Sequence, residues 1–235
     1  MTGHQANFDR IARPYRALEC LTMGRALEKT RLHYLPAVAH ATNALVIGDG
    51  DGRFLARLLA VAPQLRVTAI DSSRKMLELL CRRCEAAAPD AATRLRTIHT
   101  DALAFAPSET YDLVVTHFFF DCLLQQDLDA LVARIVPSLA PKTLWLISDF
   151  RVPSGTLAVP ATIFISTLYL AFRVLTGLRT ETLPDHHSAL SHAGFVQIAS
   201  HHRLAGILTS ELWQRTAPAA PRSATPTLSF FAASH

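Results

Sequence analysis

Three glycines at alternate positions, Gly48, Gly50 and Gly52, follow the apolar run 44–47 and lead into the helical pattern RFLARLLAVAP. Glycine lets a chain turn tightly and lets a ligand approach the backbone, because no side chain fills the gap. A helix beginning near Arg53 aims its free amides and positive dipole end at that ligand. A phosphate loop would need a lysine after its last glycine, and none follows. The dinucleotide fingerprint would need its third glycine one residue later, where Arg53 stands, which disfavours a nicotinamide dehydrogenase. G-x-G-x-G, a site for a nucleoside without a pyrophosphate, remains. Asp71 closes the segment RVTAID about 20 residues on, where a carboxylate can accept both hydroxyl hydrogens of a ribose. Ser72 and Ser73 can cap the helix that follows.

Such residues need a frame that carries them to one edge. Short β-branched or aliphatic runs at 43–47, 65–70, 95–99, 111–116 and 143–148 alternate with helical patterns. This alternation predicts an α/β fold, a doubly wound parallel sheet covered by helices on both faces. Ligands bind such sheets at the carboxyl ends of the strands where the strand order reverses, here expected at 43–47. The segment FDRIARPYRALECLTMGRALEKTRLHYLP predicts a helical cap before the core, and 161–176 a helical insert after the fifth strand. HSALSHAGFVQIASHHRL reads as helix, a stop at Gly194, and strand. TLSFFAAS reads as one more strand after the loop TAPAAPRSATP. The expectation is a single domain over 1–235, with cap 1–40, core 41–150, lid or substrate region 151–190 and the last two strands in 191–235.

The chain has 235 residues, 50% hydrophobic and 18% charged, a globular composition long enough to bury a sizeable core. Its formal charge of +4 rests on scattered arginines, with lysine only at Lys29, Lys75 and Lys142. Solvated surface charge is expected, and no nucleic-acid partner. The opening MTGHQANFDR lacks the apolar core of a signal peptide, so a reducing, cytoplasmic setting is expected for Cys20, Cys81, Cys84 and Cys122. Cys81 and Cys84 form C-x-x-C inside a helical pattern with no second pair, which favours a structural role over metal or redox chemistry. The apolar run 157–172 contains Pro160 and is broken by Ser166 and Thr167. It reads as a buried or lid helix, with no stable membrane insertion.

VIGDGDG, AIDSSRKML, HTDAL and YDLVVTHFFFDCL, in that order within 44–150, resemble the class I S-adenosylmethionine-dependent methyltransferases. The resemblance implies a Rossmann-like seven-stranded methyltransferase sheet with S-adenosyl-L-methionine as cofactor. Carried onto this sequence, it sets Gly48, Asp49, Gly50 and Gly52 against the methionine part, Asp71 and Ser72 against the ribose, and Asp101 with Ala102 against the adenine amine. Thr116, ending the fourth strand, would line the same pocket. The family usually has an acidic residue two positions before the first glycine. Val46 stands there, so Asp49, Asp51 or water must take its place. FDRIARPYRALECLTMGRALEKTR is similar to the opening of the ubiquinone and menaquinone biosynthesis C-methyltransferases, which implies that it folds over the cofactor with Tyr15 against it. Met76 is expected in the helix core.

Methyl transfer is an in-line displacement, so the protein has to align acceptor and methyl and exclude water. His117, past the fourth strand, is the candidate base, because an ordinary pKa of about 6.5 suits proton removal near neutrality. Asp121 is expected to cap the following helix, or else to orient a base. Phe118, Phe119 and Phe120, with Phe164, Tyr169, Phe172 and Arg173 in FISTLYLAFRVLTG, suggest an aromatic-rich apolar pocket. Phe118, Phe120, Tyr169 and Arg173 are the expected substrate contacts, and the expected acceptor is a hydrophobic small molecule, aromatic or quinol-like. Neither pair among His186, His187, His192, His201 and His202 has zinc spacing, so no metal is expected. A homodimer is compatible with the sequence. The alternative reading is a non-catalytic protein that keeps the nucleoside pocket as a binding or regulatory module, motivated by Val46.

Overall fold

The computed structural model describes residues 24–153, 155, 162 and 183–216. In chain order these form α1 (Gly24–Arg31), α2 (Leu35–Val38), β1 (Asn43–Ile47), α3 (Arg53–Val61), β2 (Arg66–Asp71), α4 (Arg74–Ala87), α5 (Ala91–Arg94) and β3 (Leu95–His99). There follow β4 (Tyr111–His117), α6 (Gln125–Ile135), β5 (Leu139–Phe150), α7 (His186–His192), β6 (Phe195–Arg203) and β7 (Leu208–Arg215). The expected positions of Tyr15, Cys20, Phe164, Tyr169, Phe172 and Arg173, most of the lid and the strand expected in TLSFFAAS lie outside the described residues. Among those described, no helix is long and apolar enough to cross a membrane.

One seven-stranded sheet runs β3-β2-β1-β4-β5-β7-β6. The first five strands in that order pair in parallel, and β7 runs antiparallel between β5 and β6. The order reverses between β1 and β4, as expected, the point at which sheets of this kind take their ligands. The seventh strand of the sheet is LTSELWQR, which the apolar-run pattern passes over because its polar residues hide its burial between β5 and β6. β5 also extends beyond the expected 143–148, because its start pairs across a register shift between Tyr111 and Leu113.

Side-chain alternation sorts the strands' residues onto two cores. Val46, Val67, Ala69, Leu113 and Val115 meet Phe54, Leu55, Leu58 and Leu80 of α3 and α4 on one face. Leu45, Ile47, Ile70, Val114 and Trp145 meet Leu128, Leu131 and Ile135 of α6 and Leu190 of α7 on the other. Strands covered on both faces read as continuous apolar runs, which is why the central ones were legible. Each fully buried Leu or Ile side chain contributes roughly 1.5–3 kcal/mol.

Two polar devices hold the ends of these elements. The Asp112 carboxylate accepts from Thr42 N at 2.9 Å, Thr42 Oγ1 at 2.6 Å and Asn43 N at 2.9 Å, tying the start of β1 to the start of β4. The Arg94 guanidinium donates to the carbonyls of Leu59 and Ala62, satisfying acceptors that α3 leaves open at its end, and to the carbonyl of Leu65 just before β2.

Candidate functional site

Gly48, Gly50 and Gly52 all have left-handed backbones, with φ of 66°, 59° and 78°, so the loop needs residues without a Cβ. Their surroundings differ. A Cβ on Gly52 would stand 2.8 Å from the Leu80 Cα, so this glycine lets α3 and α4 approach. A Cβ on Gly48 would meet the Phe119 ring at 2.6 Å, whereas one on Gly50 would meet nothing within 4 Å. The loop therefore offers open space at its middle. Arg83 of α4 fastens it, donating to the Asp51 carbonyl at 2.9 Å and pairing with the Asp51 carboxylate at 2.8 Å, while Arg53 pairs with the same carboxylate at 3.3 Å.

Val46 lies in the apolar core. Asp49 is the buried carboxyl beside it in the loop: Oδ2 accepts from Leu55 N at 3.1 Å, and Oδ1 has no hydrogen-bond partner. Burial pushes its pKa up to about 7, against the opposing pull of Arg31 and the Leu55 amide. Of the two acids proposed to replace the missing family carboxylate, Asp51 is held by arginines and Asp49 keeps an open oxygen.

Asp71 ends β2 and Asp101 follows β3, on neighbouring strands of the same edge. Each turns one carboxylate oxygen to a backbone amide two residues on, Asp71 to Ser73 N and Asp101 to Leu103 N, both at 2.8 Å. These local bonds aim the side chains along the rim. Ser73 caps α4 by accepting from Met76 N, leaving Ser72 exposed. Ala102 is half-buried on the α6 side of the sheet. Thr116 is turned inward, its hydroxyl accepting from the Trp145 indole at 3.1 Å. Met76, expected in the core, is only half-buried, because α4 buries Leu77, Leu80 and Cys84.

His117 does not reach the cavity described below. Its ring packs edge-on against Phe54, at 4.5 Å between centroids, and neither ring nitrogen has a hydrogen-bond partner. Burial, with Arg31 nearby, holds its pKa well below the ordinary value, so the ring stays neutral. Asp121 also departs from expectation: α6 begins after Leu124, and Asp121 is buried in the preceding turn beside Asp149. Burial and Asp121 raise the Asp149 carboxyl well above its usual range.

The turn after β4 carries the chain across the site. Phe118 has a left-handed φ of 52°, a conformation costly for a residue with a Cβ. It is buried against Phe150 and under the Arg31 guanidinium. Phe119 lies on Gly48, and Phe120 lines a cavity of about 250 Å³. Phe150, Val152, Leu183 and Pro184 give that cavity apolar wall, and Asp149, His186, His187 and Glu211 give it polar wall.

Glu211, which holds the polar wall together, was not legible in sequence. Glu211 of β7 is 1% exposed and takes His186 Nε2 at 3.1 Å on one oxygen and His187 Nε2 at 3.2 Å on the other. Trp213 Nε1 at 2.9 Å and Thr209 Oγ1 at 3.2 Å also donate to it. Burial alone would raise the Glu211 pKa, but the bonds from His186, His187 and Trp213 hold it far below the usual range. The bond to Glu211 in turn raises the pKa of His187. Asp185 positions both histidines: its carboxylate caps α7 through Ser188, and its amide donates to Gln125 Oε1 of α6.

Residues 45–144 match the family model for the methyltransferase domain. No curated protein matches the chain. In structure the chain is similar to the N-methyltransferase NodS from Bradyrhizobium japonicum WM9, at 17% identity and TM-score 0.57, over 81% of this chain and 97% of that one. It is equally similar to NodS in complex with S-adenosyl-L-homocysteine, at 17% identity and TM-score 0.57, over 83% and 88%. With the mitomycin 7-O-methyltransferase MmcR the identity is 19% and the TM-score 0.62, over 89% of this chain and 60% of that longer one. At such identities the likeness is one of fold.

Proposed function

We propose that the chain is a class I S-adenosylmethionine-dependent methyltransferase and that its acceptor is a hydrophobic small molecule, aromatic or quinol-like, seated in the cavity beyond β5. The observation that carries this reading is the turn after β4, where Phe119 lies on the glycine loop and Phe120, the next residue, lines the cavity. Cofactor loop and acceptor cavity are then one residue apart along the chain.

The residues present fit the cofactor. Gly50 leaves open space, the Asp49 Oδ1 is a buried acceptor with no partner, and an ammonium group is the natural donor to it. We assign Asp49 to the amino-acid end, in place of the acid absent at Val46, Asp71 to the ribose hydroxyls and Asp101 to the adenine amine. The bound cofactor supplies a methyl group on a positively charged sulfur. Phe120, Phe150 and Leu183 exclude water from the acceptor and fix its plane, which is how alignment raises the rate of a displacement.

Calorimetric titration with S-adenosyl-L-homocysteine tests the cofactor half. Asp71→Ala and Asp49→Asn should each weaken binding by about 10- to 100-fold, the cost of a hydrogen bond to a charged group. No binding by the unaltered chain would overturn the assignment. Turnover is then sought with phenols and quinols; binding with no methylation of either would favour a non-catalytic nucleoside-binding module.

A further inference from the structure

We infer that His186, His187 and Glu211 form a binding site for a divalent transition-metal cation, of zinc or cobalt type, that opens on the cavity beyond β5. The sequence gives no zinc spacing, because the third ligand comes from β7, more than a helix and a strand away. The three side chains' ligand atoms all lie within 4.8 Å of one another. Ligands about 2.0–2.2 Å from a zinc ion stand about 3.0–3.6 Å apart, and the two histidine–carboxylate separations are 3.1 and 3.2 Å. A shift of each ring to its Nδ1–H tautomer turns the Nε2 lone pair toward the carboxylate, so small movements would bring three donors onto one cation.

Three further features suit a cation. Two imidazoles and one carboxylate are a donor set for zinc, cobalt or ferrous ions, and leave coordination positions open. The carboxylate is oriented from behind by Trp213 and Thr209, the kind of outer support that metal ligands require. The open side faces the cavity. A cation there offsets the negative charge that Glu211 holds out of water and can bind, and acidify, an oxygen of a molecule in the cavity. The site does not depend on the cofactor loop or on methyl transfer.

The test is titration of the chelator-treated full chain with Co²⁺, followed by its visible spectrum, with Zn²⁺ in competition. One equivalent should bind, and Zn²⁺ should displace it. Glu211→Gln and His187→Ala should each weaken binding by about 100-fold or more, at least the loss expected for an outer partner. His192→Ala and His201→Ala, which alter histidines outside the cluster, should leave it unchanged. Absence of saturable Co²⁺ uptake, or uptake that survives both Glu211→Gln and His187→Ala, would overturn the site. His187 has a side chain 48% exposed, so its variant should fold even if Glu211→Gln does not. S-adenosyl-L-homocysteine titration of the same samples separates loss of the metal site from failure of the cofactor assignment.

Discussion

On the β1–β3 side of the sheet, the groups assigned to the cofactor stand in short local stretches: three glycines and Asp49 in one loop, Asp71 and Asp101 each at the end of its own strand. On the β5–β7 side, the cavity's polar wall draws on β5, α7 and β7, with Asp149, His186, His187 and Glu211 up to 62 positions apart. Both sides bury a carboxyl with a raised pKa, and the two differ in what their oxygens do. Asp149 accepts backbone amides on both, from Phe150 and Asp121, whereas Asp49 accepts one amide and keeps Oδ1 open. A buried carboxyl whose oxygens are all used is part of the scaffold, while one with an open oxygen is prepared for a ligand.

The largest expected effect probes that contrast through pH. The Asp49 pKa rises from 3.8 to about 7 on folding. The folded state therefore keeps a proton that the unfolded chain has shed, and stability falls as pH climbs through that window. One such group accounts for on the order of 4 kcal/mol across it. Urea midpoints followed over this range should show Asp49→Asn gaining on the unaltered chain as pH rises. Saturating S-adenosyl-L-homocysteine should shrink the Asp49 share of the slope and leave the Asp149 share in place. An unchanged slope in Asp49→Asn would break the comparison.

Next in size is a contrast within the glycine loop. Gly52→Ala adds a left-handed penalty and a collision with the α4 backbone, and should cost roughly 2–4 kcal/mol in chemical denaturation. Gly50→Ala meets no atom, and should cost about 1 kcal/mol of stability while weakening S-adenosyl-L-homocysteine binding about tenfold or more, because its Cβ enters the ligand's space. Equal losses in both measurements for both variants would show that the loop acts only as scaffold. The smallest effect belongs to Trp145→Phe. Loss of the indole bond to Thr116 should cost about 1–2 kcal/mol by thermal unfolding with no change in S-adenosyl-L-homocysteine affinity, since that bond lies beneath the sheet.

The same contrast explains what could be read without coordinates. β1, β2 and β4 announce themselves as short runs rich in β-branched and aliphatic residues because both their faces are covered, and the glycine spacing fixes the loop they feed. β7 is hidden in the sequence because Thr209, Ser210 and Glu211 stand together in it, and that carboxylate makes sense only with His186, His187, Trp213 and Thr209 around it. His117 looked suitable as a base by its place after β4. Strand alternation turns its ring toward Phe54 and away from the cavity, a distinction that depends on one residue of register. Asp121 misled for a related reason: the chain spends an extra turn before α6 begins, so the acid that precedes the helix in sequence is not at its first turn.

The Asp112 latch between β1 and β4 has a consequence for how variable the opposite rim can be. In a paired sheet a slip of one position would exchange the two faces of every strand, and three hydrogen bonds at the amino ends of the central pair give that register a fixed zero point. Loops at the carboxyl ends can then differ in length and composition without carrying the burden of alignment. The acceptor recognition proposed above and the alignment of the strands are thereby separate tasks, assigned to opposite edges of one sheet.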